Sequence, residues 1–203
     1  MNKLVKDALV LTLITVVAGC ALGLVYEITK APIKAAQEKA TQEAYRAVFA
    51  DANSFEVIDG FDSAAATAVV AEGGYTSDSI DNCLIAKDAS GAALGYVVTV
   101  TSHAGYGGDI TFSVGITNDG TLNGYSITSL SETAGLGMKA KEEKFSSQFV
   151  NKPAQIFEVT KSGATNDTEI DAISGATITS KAVTYGVDSA VFYVDSLGGV
   201  ANE

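Results

Sequence analysis

The sequence predicts an α+β domain behind a single N-terminal transmembrane helix, with a largely antiparallel sheet flanked by helices. Three observations predict it. Residues 8–26, ALVLTLITVVAGCALGLVY, carry no charge and are about as long as a bilayer-spanning helix requires. Between residues 94 and 116 apolar positions recur with a period of two, the mark of strands. From Val183 to Val194 the period becomes helical.

Taken in order, residues 1–26 form a short N-terminus and the span, and residues 27–50, EITKAPIKAAQEKATQEAYRAVFA, form a helical stalk. Pro32 marks a restart or kink in that stalk, because proline lacks the amide a helix interior uses. Residues 51–203 form the domain. There Leu94, Tyr96, Val98 and Val100 alternate along one strand, and Ile110, Phe112, Val114 and Ile116 alternate against Thr111, Ser113, Gly115 and Thr117 along another. Both read as half-buried strands of a meander of about four, from Cys83 to Leu130, with turns at Ser90-Gly91 and Asn118-Asp119-Gly120. A helix over 139–150 follows, stopped by Pro153. The last element is a helix on Val183, Val187, Ala190, Val191 and Val194, closed by Gly198 and Gly199.

Composition excludes several classes of function. A net charge of -11 over 203 residues is the wrong sign for nucleic-acid binding, which needs a basic face to replace phosphate counterions. The lone His103 makes a serine–histidine triad not credible and rules out a histidine-rich metal site. Cys20 and Cys83 form no CxxC pair and cannot ligate an iron–sulfur cluster by themselves, so both read as free thiols. Electron chemistry in this chain would need a borrowed cofactor.

The N-terminal segment has a rival reading. Lys3 and Lys6 before the apolar run, and V-A-G-C at 17–20, resemble a lipoprotein signal with Cys20 as the lipidated residue. The run continues through ALGLVY after Cys20, where a mature lipoprotein turns polar, and this favours an uncleaved anchor. Lys30, Lys34 and Lys39 balance Lys3 and Lys6, so charge alone does not orient the span. Either reading puts the domain on the outer face of the membrane.

The tetrapeptide SGAT occurs twice, at 162–165 and 174–177. In the second copy Thr177 stands at or just before the start of the final helix, with Thr179 or Ser180 as its N-cap. Open amides at a helix start seat phosphate. Gly175 and Ala176 remove side-chain bulk there, and Thr177 offers a hydroxyl. The spacing alone favours an ordinary glycine turn with a Ser/Thr cap.

D-A-I-S-G-A-T, from Asp171 to Thr177, resembles the flavinylation motif Asp-x-x-(Ser/Thr)-Gly-Ala-Thr. The resemblance implies FMN joined through a phosphoester to Thr177 by a flavin transferase that uses FAD and reads Asp171. It further implies that Ser174, Gly175, Ala176 and Thr179 touch the cofactor. Thr165 has Val159 where Thr177 has Asp171, and should stay unmodified. G-Y-G-G-D-I at 105–110, S-E-T-A-G-L-G at 131–137 with Ala134 in place of a usual proline, and the anchor running into YEITKAPIKAAQEKATQEAY are similar to the G subunit of the Rnf electron-transport complex. That protein is itself similar to the C subunit of the sodium-pumping NADH:quinone reductase.

The resemblance implies that Glu132, Thr133, Gly135, Leu136 and Gly137 lie against the isoalloxazine ring. Tyr106 could stack on the flavin or cap the sheet, and Lys181 could assist the phosphate or stand in solvent. By the same resemblance the chain is a redox subunit with no catalytic acid, base or nucleophile. It relays electrons in a cell-membrane complex that passes them between ferredoxin and NAD and translocates sodium ions or protons. Its partners would be the membrane and peripheral subunits of that complex. Two alternatives are a surface lipoprotein or ligand-binding module lipidated at Cys20, and a stand-alone flavin carrier.

Overall fold

The computed structural model describes residues 3–199, so the first two residues and the last four, which the expected segments include, lie outside the described residues. The chain divides into two units, Met1–Ala40 and Thr41–Glu203.

Helix α1, Lys3–Val48, makes up the first unit and enters the second. Among the described residues it is the one helix long and apolar enough to cross a membrane. The two threonines of the span are internally satisfied: Thr12 donates to the carbonyl of Ala8 and Thr15 to that of Thr12, each at 2.9 Å, which suits a helix with no water beside it. The helix continues through Pro32, where a restart or kink was expected.

The second unit is built on a six-stranded sheet in sequential order, antiparallel throughout: β1 Ser54–Val57, β2 Asp78–Lys87, β3 Ala93–Ser102, β4 Ile110–Thr117, β5 Thr121–Leu130 and β6 Val150–Pro153. The expected four-strand meander is present as β2 to β5. It starts at Asp78, with Cys83 buried in mid-strand. Two elements in 51–80 carried no clear sequence signal, β1 and α2, Ser63–Glu72. Helix α2 starts on an Asp62 cap, whose carboxylate accepts from the amide of Ala65 at 2.8 Å.

The strands are not half-buried. Val98, Val100, Phe112 and Val114 face one apolar cluster, which includes Val183, Val187 and Ala190 of α4, Thr177–Ser196. Val97 belongs instead to a second cluster with Tyr45, Val48, Phe49 and Leu84. The last turns of α1, within the second unit, cover the back of the sheet, so Val97 and Ser113 are as buried as their apolar neighbours. Alternation between apolar and small polar residues on β4 reports two covered faces of different polarity. Thr99 and Ser113 meet on the back face with hydroxyls 3.2 Å apart.

The single helix expected over 139–150 is replaced by three short turns, a 3-10 turn Gly137–Lys141, α3 Glu143–Ser146 and a second 3-10 turn Ser147–Phe149, and then by β6. Aromatic packing is the reason. Phe149 sits 5.3 Å from Tyr125, 5.7 Å from Phe145 and 5.6 Å from Phe157 between ring centroids, and Tyr125 in turn lies 5.6 Å from Phe112. The Tyr125 hydroxyl also donates to the carbonyl of Ala140 at 2.6 Å. Phe145 and Phe149 would share a face on a regular helix too, so what the cluster fixes is the end of the segment: Phe149 is held where the chain turns directly into β6 at Val150, and the Tyr125 bond pins the first turn at Ala140. Truncating Phe149 at the cluster's centre would cost about 3–5 kcal/mol.

A parallel pair, β7 Glu158–Thr160 and β8 Glu169–Asp171, leads into α4. Gly198 and Gly199 close α4 as expected, with their amides donating to the carbonyls of Asp195 and Val194 at 2.9 and 3.1 Å.

Candidate functional site

Helix α4 begins at Thr177, with Ala176 as its N-cap and no side-chain cap bond. The expected cap at Thr179 or Ser180 is therefore displaced into the first turn. Gly175 turns the chain at φ +77, a conformation open to glycine, and the helix starts immediately after it. Ser180 latches the loop from inside the helix: its hydroxyl accepts from the amide of Ile173 and donates to the carbonyl of Ala176, both at 2.9 Å. Leaving the cap position to an alanine keeps the first-turn amides of α4 without a side-chain acceptor. Thr177 is half-buried and Thr179 fully buried.

This helix start forms one wall of a cleft of about 570 Å³. Gly175, Ala176, Thr177, Ile178 and Thr179 line that wall, and Glu132, Thr133, Leu136 and Gly137 line the opposite one, with Tyr106 at the side. Two stretches distant in the sequence thus meet, as the motif reading requires. Ser174 and Gly135 do not line this cleft: Ser174 lies with Asp171 on a neighbouring one, and Gly135 makes the turn at φ +76.

Glu132 ties its own wall to the side of the cleft. Its Oε1 accepts from the amides of Tyr106 at 2.7 Å and Gly107 at 3.2 Å, fixing the β3–β4 loop against the end of β5. Gly137 is needed for close approach: a Cβ there would lie 2.6 Å from Glu132 Oε2 and 2.7 Å from Thr179 Oγ1. Tyr106 is 71% exposed, so it stands at the cleft rim and does not cap the sheet. Leu136 and Ile178 are also substantially exposed there, giving an apolar rim. Sequence reading missed Ile178, whose only signal was an apolar residue on the otherwise polar first turn of α4. It also missed the Glu132 tie, which has no local signature. Lys181 is exposed and outside the cleft. His103 pairs with Asp109 at 2.9 Å on the surface.

Deeper along α4 lies a buried acidic pair. Asp188 is 1% exposed and burial pushes its carboxyl up to about 8; Asp78 is 4% exposed and burial pushes it up to about 6. Asp188 Oδ1 accepts from the amide of Phe157 at 3.0 Å, but its Oδ2 and Asp78 Oδ1 have no protein partner. Tyr75 is raised to about 12, first by burial and then by these two acids.

The residues at the cleft suit the FMN that the motif implies. The volume is that of a cofactor site, the free amides of a helix start suit a phosphate, and the apolar rim suits a flat ring. Among the described residues no group of His, Cys, Asp and Glu is arranged to hold a metal ion.

Comparison with known proteins agrees with this chemistry. Residues 105–191 match the FMN-binding domain. The chain is 33% identical over 201 residues to the G subunit of the ion-translocating oxidoreductase complex of Methanosarcina acetivorans, covering 98% of both chains. It is 34% identical over 188 residues to the G subunit of the Na(+)-translocating ferredoxin:NAD(+) oxidoreductase complex of Acetobacterium woodii, covering 92% of this chain and 89% of that one. The crystal structure of the C subunit of Na(+)-translocating NADH-quinone reductase from Parabacteroides distasonis shares the fold, with a TM-score of 0.52 at 20% identity over 75% of this chain and 79% of that one.

Proposed function

We propose, from the premise that this chain belongs to the G-subunit family of ion-translocating oxidoreductase complexes and carries its FMN-binding domain, that FMN is held covalently on Thr177 and relays electrons within such a complex. The observation that carries the reading is the position of Thr177, the first residue of a 20-residue helix and part of the cleft wall facing Thr133, Leu136 and Gly137.

In the attachment step the Thr177 oxygen attacks the FMN-side phosphorus of FAD on a flavin transferase. The diphosphate P–O bond breaks, AMP leaves and the hydroxyl proton passes to the medium, with no change of oxidation state. The amides at the start of α4 would hold the phosphate, aided by the helix dipole. Leu136, Ile178 and Tyr106 would give the ring an apolar surface to lie on, and Gly137 and Thr133 would offer it backbone and hydroxyl groups. Bound there, FMN supplies one- and two-electron transfer. The protein contributes a fixed position and an environment that sets the potential.

The span lies within residues 1–26, with the stalk over 27–50 and the domain over 51–203 held outside the cytoplasm, where a dissociated flavin is not replaced. A phosphoester tether prevents its loss. The apolar segment holds no acid, so ion translocation falls to partner subunits, and electrons pass between ferredoxin and NAD as in the relatives' complexes. Peptide mass spectrometry of membrane-extracted protein tests the reading. An FMN-sized addition on the peptide holding Thr177 is expected, and its absence in a host with an active flavin transferase overturns the covalent assignment.

A further inference from the structure

The loop before α4 has two faces, and only one of them borders the flavin cleft. Gly175 and Ala176 line that cleft with Thr177, whereas Asp171, Ala172, Ile173 and Ser174 line a second cleft of about 530 Å³. Asp171 therefore stands away from the cofactor wall although it shares the heptapeptide. Its backbone is gripped on both sides by one side chain, for Gln148 Oε1 accepts from the Asp171 amide at 2.7 Å and Gln148 Nε2 donates to the Asp171 carbonyl at 3.2 Å. The next two amides are also used, Ala172 on the carbonyl of Thr160 at 2.8 Å and Ile173 on Ser180. The loop is thus rigid before anything binds, and it presents the exposed side chains of Asp171 and Ser174 outward.

The surroundings of that face differ in charge from the rest of the chain. Lys139, Lys144 and Lys161 converge on the second cleft, against Glu142 and Asp171. None of the three lysines is in an ion pair among the described residues. In a chain of net charge -11 this is a local excess of positive charge beside the acceptor threonine.

We propose that the lysine-lined cleft is the docking surface for the enzyme that esterifies Thr177, which inserts an acidic segment between Lys144 and Lys161 while reading Asp171 and Ser174. The proposal rests on the covalent reading above. An occupant that reads 171–174 must approach from this side, and charge complementarity to the lysines makes it acidic. Docking here leaves the flavin cleft open for the incoming FMN.

The test uses the full-length chain in detergent, produced without flavin transferase and then mixed with the purified transferase of its host, FAD and magnesium. Covalent flavin is followed by in-gel fluorescence and intact mass. The double variant Lys144→Glu/Lys161→Glu is expected to take up flavin about tenfold more slowly than wild type at low salt, with the gap narrowing as salt screens the surface charges. The double variant Lys144→Arg/Lys161→Arg keeps the charge and should retain the wild-type rate. Equal rates for wild type and the Glu variant overturn the docking proposal alone. Equal rates with loss of co-purifying subunits would also overturn it and assign the cleft to a partner in the complex. No uptake by wild type overturns the covalent reading and this proposal with it.

Discussion

The two SGAT copies carry identical residues twelve positions apart, yet they sit in opposite environments. The first, 162–165, lies in the exposed connection between β7 and β8, where Glu169 Oε2 accepts from both the amide and the hydroxyl of Thr165, at 2.7 and 2.9 Å. The second, 174–177, ends at the uncapped start of α4, and its threonine is half-buried in a cleft. In the first copy a neighbouring carboxylate occupies the amide and hydroxyl that a phosphate would use. In the second they face an apolar-rimmed space. A helix start and a facing wall make the site, and the tetrapeptide supplies only the turn and the oxygen.

The largest test of this contrast is substitution of the two threonines. Thr177→Ala should abolish covalent flavin, while Thr165→Ala should leave it complete, read by intact mass. Flavin remaining in Thr177→Ala would break the contrast outright.

Next in size is an effect of pH on α4, opposite in sign to that around 162–165, where the bonds from the Thr165 amide and hydroxyl hold the Glu169 carboxyl below its ordinary value. The folded-state carboxyls of Asp188, about 8, and Asp78, about 6, lie above the ordinary value of 3.8. Their contribution is fully present below about pH 4 and is lost as pH rises, through 6 for Asp78 and 8 for Asp188. Stability against denaturant should fall steadily between pH 4 and 8, by about 1.4 kcal/mol per pH unit for each of the two acids that stays protonated only in the folded state. Asp188→Asn keeps an acceptor for the Phe157 amide and removes the charge, so it should flatten most of that slope. Hydrogen exchange across 177–196 should follow the same pH dependence, and exchange across 162–165 should not.

A smaller effect separates the two glycines. Gly163 and Gly175 both have positive φ, +97 and +77, so alanine at either costs about 1 kcal/mol. A Cβ at Gly163 meets open space, whereas one at Gly175 comes within 3.1 Å of Leu136 Cδ2 on the opposite wall. Gly175→Ala should therefore also lower flavin incorporation, and Gly163→Ala should lower only the melting temperature. The smallest expected effect belongs to Glu169→Ala. It frees the Thr165 hydroxyl, yet no flavin should appear there, because no helix starts at Thr165 and the cleft it shares with Gln148, Lys152, Asn166 and Asp167 lacks an apolar rim. A flavin mass on Thr165 in that variant would mean that the competing carboxylate alone had kept the copies apart.

Much of the fold was legible in the sequence because it rests on periodicity. The charge-free span, the alternation on β3 and β4, and the helical stripe of α4 each follow from local spacing. The turns over 137–149 misread as one helix because their charged residues favour helix, while the rings of Tyr125 and Phe157 that bend them lie elsewhere in the chain. β1 and α2 were missed because 51–80 has no clean period, although Asp59-Gly60 and Gly73-Gly74 flank α2.

The sequence by itself determined the anchor segment, the strand and helix periods, and the one threonine with Asp171 in register. It did so because these are patterns within a few residues of one another. Tertiary structure alone decided that Glu132 would tie the β3–β4 loop to β5, and that Gly137 would come up against Thr179. It also decided that Asp171 and Thr177 would face different clefts. Those relations join segments distant in the chain, and packing and hydrogen bonding between elements fix them only once the sheet and α4 are in contact.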